Sequence, residues 1–174
     1  MRRTFLAPLL AAAAAAPAAA APAPPPPAVR AHLSELDKEC RGYGGRPGSM
    51  PGLVQSADLT GDGLADYVVD LNVYNCDGAA SAMGAGQSGA GLSVFVGGPG
   101  GAARRAYDNT TYGAKIVTAA GKARLWLDTA GSECGQRGAN IPFSDWKFCS
   151  RPVNWNAAAR AFAYAPLAEA KPIQ

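Results

Sequence analysis

The sequence predicts a mainly β fold, with seven to eight short antiparallel strands behind one short N-terminal helix. Three observations carry this expectation. Residues 67–73 alternate, with Tyr67, Val69, Leu71 and Val73 on one side and Val68, Asp70 and Asn72 on the other. That is the period of a half-buried strand. The apolar run 92–96 and further strand candidates at 53–57, 104–108, 115–119 and 124–128 are punctuated by turns such as Gly97 to Gly101. Finally, one stretch near the start has a helical period, in Val29, Leu33, Leu36 and Cys40.

That stripe predicts a helix over 28–39, docked by its apolar side. Residues 42–52 read as loop, and the Gly/Ala/Ser-rich segment 77–91 reads as a mobile loop. Gly97 to Gly101 is a turn, and Ala120-Gly121-Lys122 suits a hairpin. Segments 147–150, 152–155 and 161–164 form a closing set. Trp126 and Trp155 are expected to fill the core. With no repeat of 40 or more residues, the chain is too short for a full propeller.

The first 21 residues read as a secretory signal. Met1-Arg2-Arg3 is positive, 5–16 is apolar and Ala-rich, and 18–21 offers small residues for cleavage. Arg2-Arg3-Thr4-Phe5-Leu6 also resembles a twin-arginine core, which leaves the export route open. Residues 22–27 form a Pro-rich spacer, and 28–174 form one domain. The expected location is periplasmic or secreted, with no transmembrane segment after cleavage. Removing Arg2 and Arg3 takes the 16 basic residues to 14, against 13 acidic ones. Near neutrality, with no block of like charge, argues against a nucleic-acid partner.

Four cysteines in an exported chain imply disulfides: Cys40, Cys76, Cys134 and Cys149. Of the three possible pairings, the sequential one, Cys40–Cys76 and Cys134–Cys149, is favoured. It closes one loop around the Asp-rich segment and one near the C-terminus. Each closure is worth about 3 kcal/mol on the chain-entropy account.

The Asp-rich segment runs from Asp58 through Leu59, Thr60, Gly61, Asp62, Gly63, Leu64 and Ala65 to Asp66. Side-chain oxygens fall on alternate positions, at Asp58, Thr60 and Asp62, and again at Asp66, while Leu64 can offer its carbonyl. Calcium takes six to eight hard oxygen ligands, and a tight loop can converge them. Gly61 and Gly63 permit the sharp turns that convergence needs. The segment resembles the calcium loops of FG-GAP and VCBS-type repeats, also found in integrin α-subunit propellers. Their pattern, D-x-[DNST]-x-D-G-x-x-D followed by an apolar strand, is matched throughout residues 58–69. The resemblance implies a structural calcium held by Asp58, Thr60, Asp62, Leu64 (carbonyl) and Asp66, in a loop joining two antiparallel strands. The resemblance bears on the loop alone; the expected architecture for the chain is a small sandwich or a partial-propeller-like domain. An EF-hand fits worse, because Val69 stands where a bidentate Glu is needed.

No catalytic set accompanies this loop. The single histidine, His32, lies on the predicted helix and reads as a surface residue, so no Ser/His/Asp set can be assembled. Asp70, Asp77, Asp108, Asp128, Glu133 and Asp145 could supply a carboxylate pair for a small secreted hydrolase. The expected protein is instead non-enzymatic, stabilised by calcium, with a binding or envelope-structural role toward a protein or glycan partner. An inhibitor or ligand-binding protein presenting 77–91 is the other alternative.

Overall fold

The computed structural model describes residues 24–48, 50–83 and 88–173. The signal at 1–21 and the middle of the 77–91 segment, residues 84–87, lie outside them. In chain order come α1 (Pro27–Gly42), β1 (Arg46–Pro47), β2 (Val54–Ala57), β3 (Asp66–Asp70), β4 (Cys76–Asp77) and α2 (Ala80–Met83). They are followed by β5 (Ala90–Gly97), β6 (Ala103–Thr111), β7 (Gly113–Ala119), β8 (Lys122–Ala130), β9 (Phe148–Asn156) and β10 (Ala161–Tyr164). The fold is mainly β, as expected. All pairing is antiparallel, in two four-stranded sheets, β2-β3-β5-β6 and β7-β8-β9-β10, and a two-stranded ribbon, β1-β4.

Three layers result: helix, sheet, sheet. Val29, Leu36 and Cys40 of α1 pack with Val69 and Phe95 on one face of the first sheet. The opposite face, through Val68, Leu92, Val94 and Val96, meets Leu125, Leu127, Val153 and Phe162 of the second sheet. The alternation read from the sequence sends Val68 and Val69 to these two cores. It ends earlier than expected, because β3 stops at Asp70. There the Asp70 carboxylate accepts from the Asn72 backbone N–H at 3.0 Å and from Asn72 Nδ2 at 2.8 Å. This local bonding turns the chain out of the ladder, and Val73 ends up exposed.

Other boundaries move for similar reasons. The spacer stops short of Pro27, which opens α1 at a position where its missing N–H costs nothing. The segment 77–91 is not wholly loop: it contains α2, whose Met83 is buried, and the start of β5. Segments 147–150 and 152–155 are one strand, with Arg151 paired to Leu127. The 119–122 hairpin turns on Ala120 and Gly121, at φ 49° and 74°, the two left-handed positions of a tight two-residue turn.

Trp126 departs from expectation. Leu125 and Leu127 face the core, so Trp126 between them faces out, with Lys171 Nζ 4.8 Å from its ring centre. Trp155 does pack at the core margin, 5.0 Å from Phe162. Both expected disulfides are present: Cys40–Cys76 joins α1 to β4, and Cys134–Cys149 closes the segment before β9. Gly45 lies so close to the first bridge that a Cβ there would collide with Cys76 Sγ.

His32 is half-buried, not a surface residue. Its ring lies 5.6 Å from Phe95, and its Nδ1 shares a hydrogen bond with Arg105. Burial first, then the Arg105 charge, lower its pKa, against smaller opposing effects of Glu35 and Asp108. The unfolded chain therefore takes up a proton near the ordinary value, 6.5, while the folded chain does not. Stability is full above that pH and falls as pH drops below it. Between about pH 7.5 and 5.5, His32→Phe should lose less melting temperature than the wild type. Equal losses would show that His32 contributes nothing.

Candidate metal centre

The Asp-rich loop connects β2 to β3, and Ala57 pairs with Asp66 across its base. It therefore joins two adjacent antiparallel strands. Gly61 and Gly63 take φ of 80° and 83°, in the left-handed region that other residues enter at a cost.

Three carboxylates organise the loop. Asp58 Oδ1 accepts from the Gly61 N–H at 2.6 Å and from the Asp62 N–H at 3.2 Å, while Oδ2 accepts from Gly63 at 2.8 Å. Asp62 Oδ1 accepts from the Leu64 N–H at 2.9 Å. Asp66 is fully buried. Its Oδ2 accepts from Leu59 and Thr60 at 2.8 and 2.9 Å, and its Oδ1 accepts from Gly97 at 2.9 Å. This last bond ties the loop to β5. The approach is so close that a Cβ on Gly97 would strike the carbonyl of Ala65.

The two ends of the loop are electrostatically different. Burial raises the Asp58 carboxyl, but the N–H groups of Gly63, Gly61, Asp62 and Thr60 outweigh it and hold the pKa below the ordinary value. At Asp66 burial dominates, against three backbone N–H donors, and the pKa is raised.

The structure places Asp62 and Leu64 on the exposed side of the loop, leaves Asp58 and Thr60 half-buried, and turns Asp66 beneath the loop. Among the described residues, no three His, Cys, Asp or Glu side chains are gathered into a metal cage. The donors nevertheless suit a hard cation in kind, being carboxylate, hydroxyl and carbonyl oxygens. Thr60 Oγ1 is buried and has no hydrogen-bond partner among the described residues. A buried hydroxyl without a partner is costly, and a cation ligand role would satisfy it.

Sequence reasoning missed what faces this loop. A groove of about 760 Å³ separates Asp58 and Thr60 from the β7–β8 turn and β9, with Lys122, Arg124, Asn154 and Trp155 along its far side. Arg124 is held by Glu169 and Asn154, at 2.8 Å each. A second groove, of about 450 Å³, runs from Asp62 past Trp155 to Arg104 and Arg160. These residues come from strands 40 or more positions away in sequence, so no local pattern marks them.

The acidic residues considered for hydrolysis are mostly engaged elsewhere. Asp77 pairs with Arg46 at 2.8 Å, and Glu133 pairs with Arg151 at 3.2 Å. Asp108 accepts from Ser93 Oγ at 2.6 Å, and Asp145 from Ser144 Oγ at 3.1 Å. Asp70 holds Asn72, whose Nδ2 also donates to Thr111 at 3.0 Å. Asp128 keeps one buried oxygen without a partner.

Replacing Asp66 by Ala strands three backbone donors. It should cost about 2–5 kcal/mol, read as a lower urea midpoint at unchanged slope. Asp62→Ala without added metal removes one exposed bond and should cost less than about 0.5 kcal/mol. Equal losses for the two variants would contradict this division of roles. No family model, curated protein or solved structure matches this chain.

Proposed function

We propose that this protein is an exported, non-enzymatic binding domain whose 58–66 loop is stabilised by calcium. The observation that carries the proposal is the unpartnered Thr60 hydroxyl, in a loop that also holds the half-buried Asp58 and the exposed Asp62 carboxylates. Asp58, Thr60, Asp62 and the Leu64 carbonyl would hold the ion, with Asp66 completing or bracing the set. Bound calcium offsets the mutual repulsion of three aspartates within nine residues. It also fixes the lip of the groove that Lys122, Asn154 and Trp155 line on the other side.

The two disulfides agree with export to an oxidising compartment. Among the described residues, no helix is long and apolar enough to cross a membrane. The groove, which sets charged and polar side chains beside Leu59 and Trp155, suits a protein or glycan partner. A catalytic reading has less support: the one histidine is packed between Phe95 and Arg105, and most of the acids outside the loop are tied to partners.

The test is thermal unfolding of the oxidised protein with calcium, with a chelator, and as Asp62→Ala. An ion present at about 100 times its dissociation constant adds about 2.7 kcal/mol. For a domain of this size that is a rise of roughly 5–10 °C. The rise should vanish in Asp62→Ala. A melting temperature indifferent to calcium, with variant and wild type alike, would reduce the loop to a self-capped turn.

A further inference from the structure

Residues 131–147 link β8 to β9 and form a stapled lobe outside the sandwich. Cys134–Cys149 closes it, and the Gly131 N–H donates to the Lys147 carbonyl at 2.9 Å. Gln136 braces its middle: Nε2 donates to the Asp145 carbonyl at 2.8 Å, and Oε1 accepts from the Lys147 N–H at 2.9 Å. On this frame stand three large apolar side chains left partly open to solvent, Phe143, Trp146 and Phe148, 37%, 37% and 38% exposed. Phe143 lies 5.3 Å from Trp146 and 5.8 Å from Phe148, so the rings form one continuous patch. Tyr112 extends it from the base, 5.0 Å from Phe148. Contiguous exposed aromatic patches mark interaction surfaces.

Three features indicate the partner. The rings meet at 57°, 83° and 76°, a herringbone rather than one flat shared platform. The Trp146 Nε1–H already donates to the Ile141 carbonyl at 3.0 Å, so burying the indole in an apolar medium strands no donor. Lys147, between Trp146 and Phe148 in the chain, and Arg137, next to the Gln136 that braces this segment, are exposed and have no ionic partner among the described residues. The neighbouring acid, Asp145, accepts from Ser144 Oγ. Aromatic rings at the headgroup level with flanking cations are the chemistry of an interfacial contact with anionic lipid.

We propose that this lobe docks the protein on an anionic lipid surface, with Phe143, Trp146 and Phe148 entering the interface and Arg137 and Lys147 at the phosphates. The contact is peripheral and reversible, since the patch is small and the attraction is screened by salt. It uses neither the calcium loop nor its groove, so it stands or falls independently of them.

The test is co-sedimentation of the exported protein with vesicles of phosphatidylglycerol and phosphatidylcholine, and with phosphatidylcholine alone, at low and high salt. Partition should be at least about tenfold stronger onto the anionic vesicles and should weaken with salt. Brominated lipid should quench tryptophan emission in the wild type but not in Trp146→Phe, which keeps Trp126 and Trp155. Phe143→Ser/Trp146→Ser should cut partition by about tenfold or more. If that variant does not fold, the exposed Lys147→Glu carries the test and should weaken binding to anionic vesicles only. Absence of partition would overturn the proposal, as would partition untouched by these substitutions or quenching that persists in Trp146→Phe. Concentration-dependent self-association that the double variant abolishes, without lipid binding, would assign the patch to a second copy of the chain instead.

Discussion

The first sheet is buried on both faces, and much of the molecule follows from that constraint. A sheet covered on one side by a helix and on the other by a second sheet must supply apolar residues in both directions. Neighbours in β3 therefore serve different cores, Val69 toward α1 and Val68 toward the sandwich. In β5, Phe95 points to the helix while Leu92, Val94 and Val96 point the other way. A register shift between Val94 and Phe95, where β6 carries the extra residue Ala106, adds local twist. The second sheet has one buried face, and its strands alternate accordingly, as Leu125, Trp126 and Leu127 show.

The Asp-rich loop is attached to this doubly buried layer. Asp66 is the first residue of β3, yet its carboxylate serves the loop above it and the end of β5 beside it. One side chain thus makes the loop part of the sheet. Arg151 plays a comparable part in the second half: its guanidinium donates to the carbonyls of Glu133 and Ala165 and lies 5.0 Å over Tyr164. It ties the stapled lobe to the segment after β10.

Elements with a strong period were legible in the sequence: α1 by its stripe, β3 by its alternation, the hairpin at 120–121 by its turn residues. The disulfide pairing followed from the choice of sequential closure. Trp126 was misplaced because aromatic size argues for burial, whereas the facing of β8 is decided by Leu125 and Leu127, which the second sheet turns inward. His32 reads as a surface residue on a helical wheel, but Phe95 and Arg105, more than 60 positions on, cover it. The loop was legible as a motif. The inward turn of Asp66 was not, because it depends on the N–H of Gly97, and the groove opposite depends on strands from the other sheet.

Within each four-stranded sheet, spatial neighbours follow one another along the chain, and each disulfide closes within one half of the molecule. From β6 the chain passes into β7 through Tyr112. No covalent bridge clamps the two sheets together, so their union rests on side-chain packing and a few hydrogen bonds, among them Asn109 Nδ2 to the Tyr164 hydroxyl. Local pairing of this kind favours quick formation of each sheet. It also sets an order during synthesis: the helix-backed half can close before β8 and β9 have emerged. In that interval Val68, Leu92, Val94 and Val96 face water as an uncovered apolar wall. A half-made chain is thus adhesive on one side, and a neighbouring chain's late-arriving sheet fits that wall as well as its own. Exchange of the C-terminal sheet between copies is the misassembly to which this architecture is open.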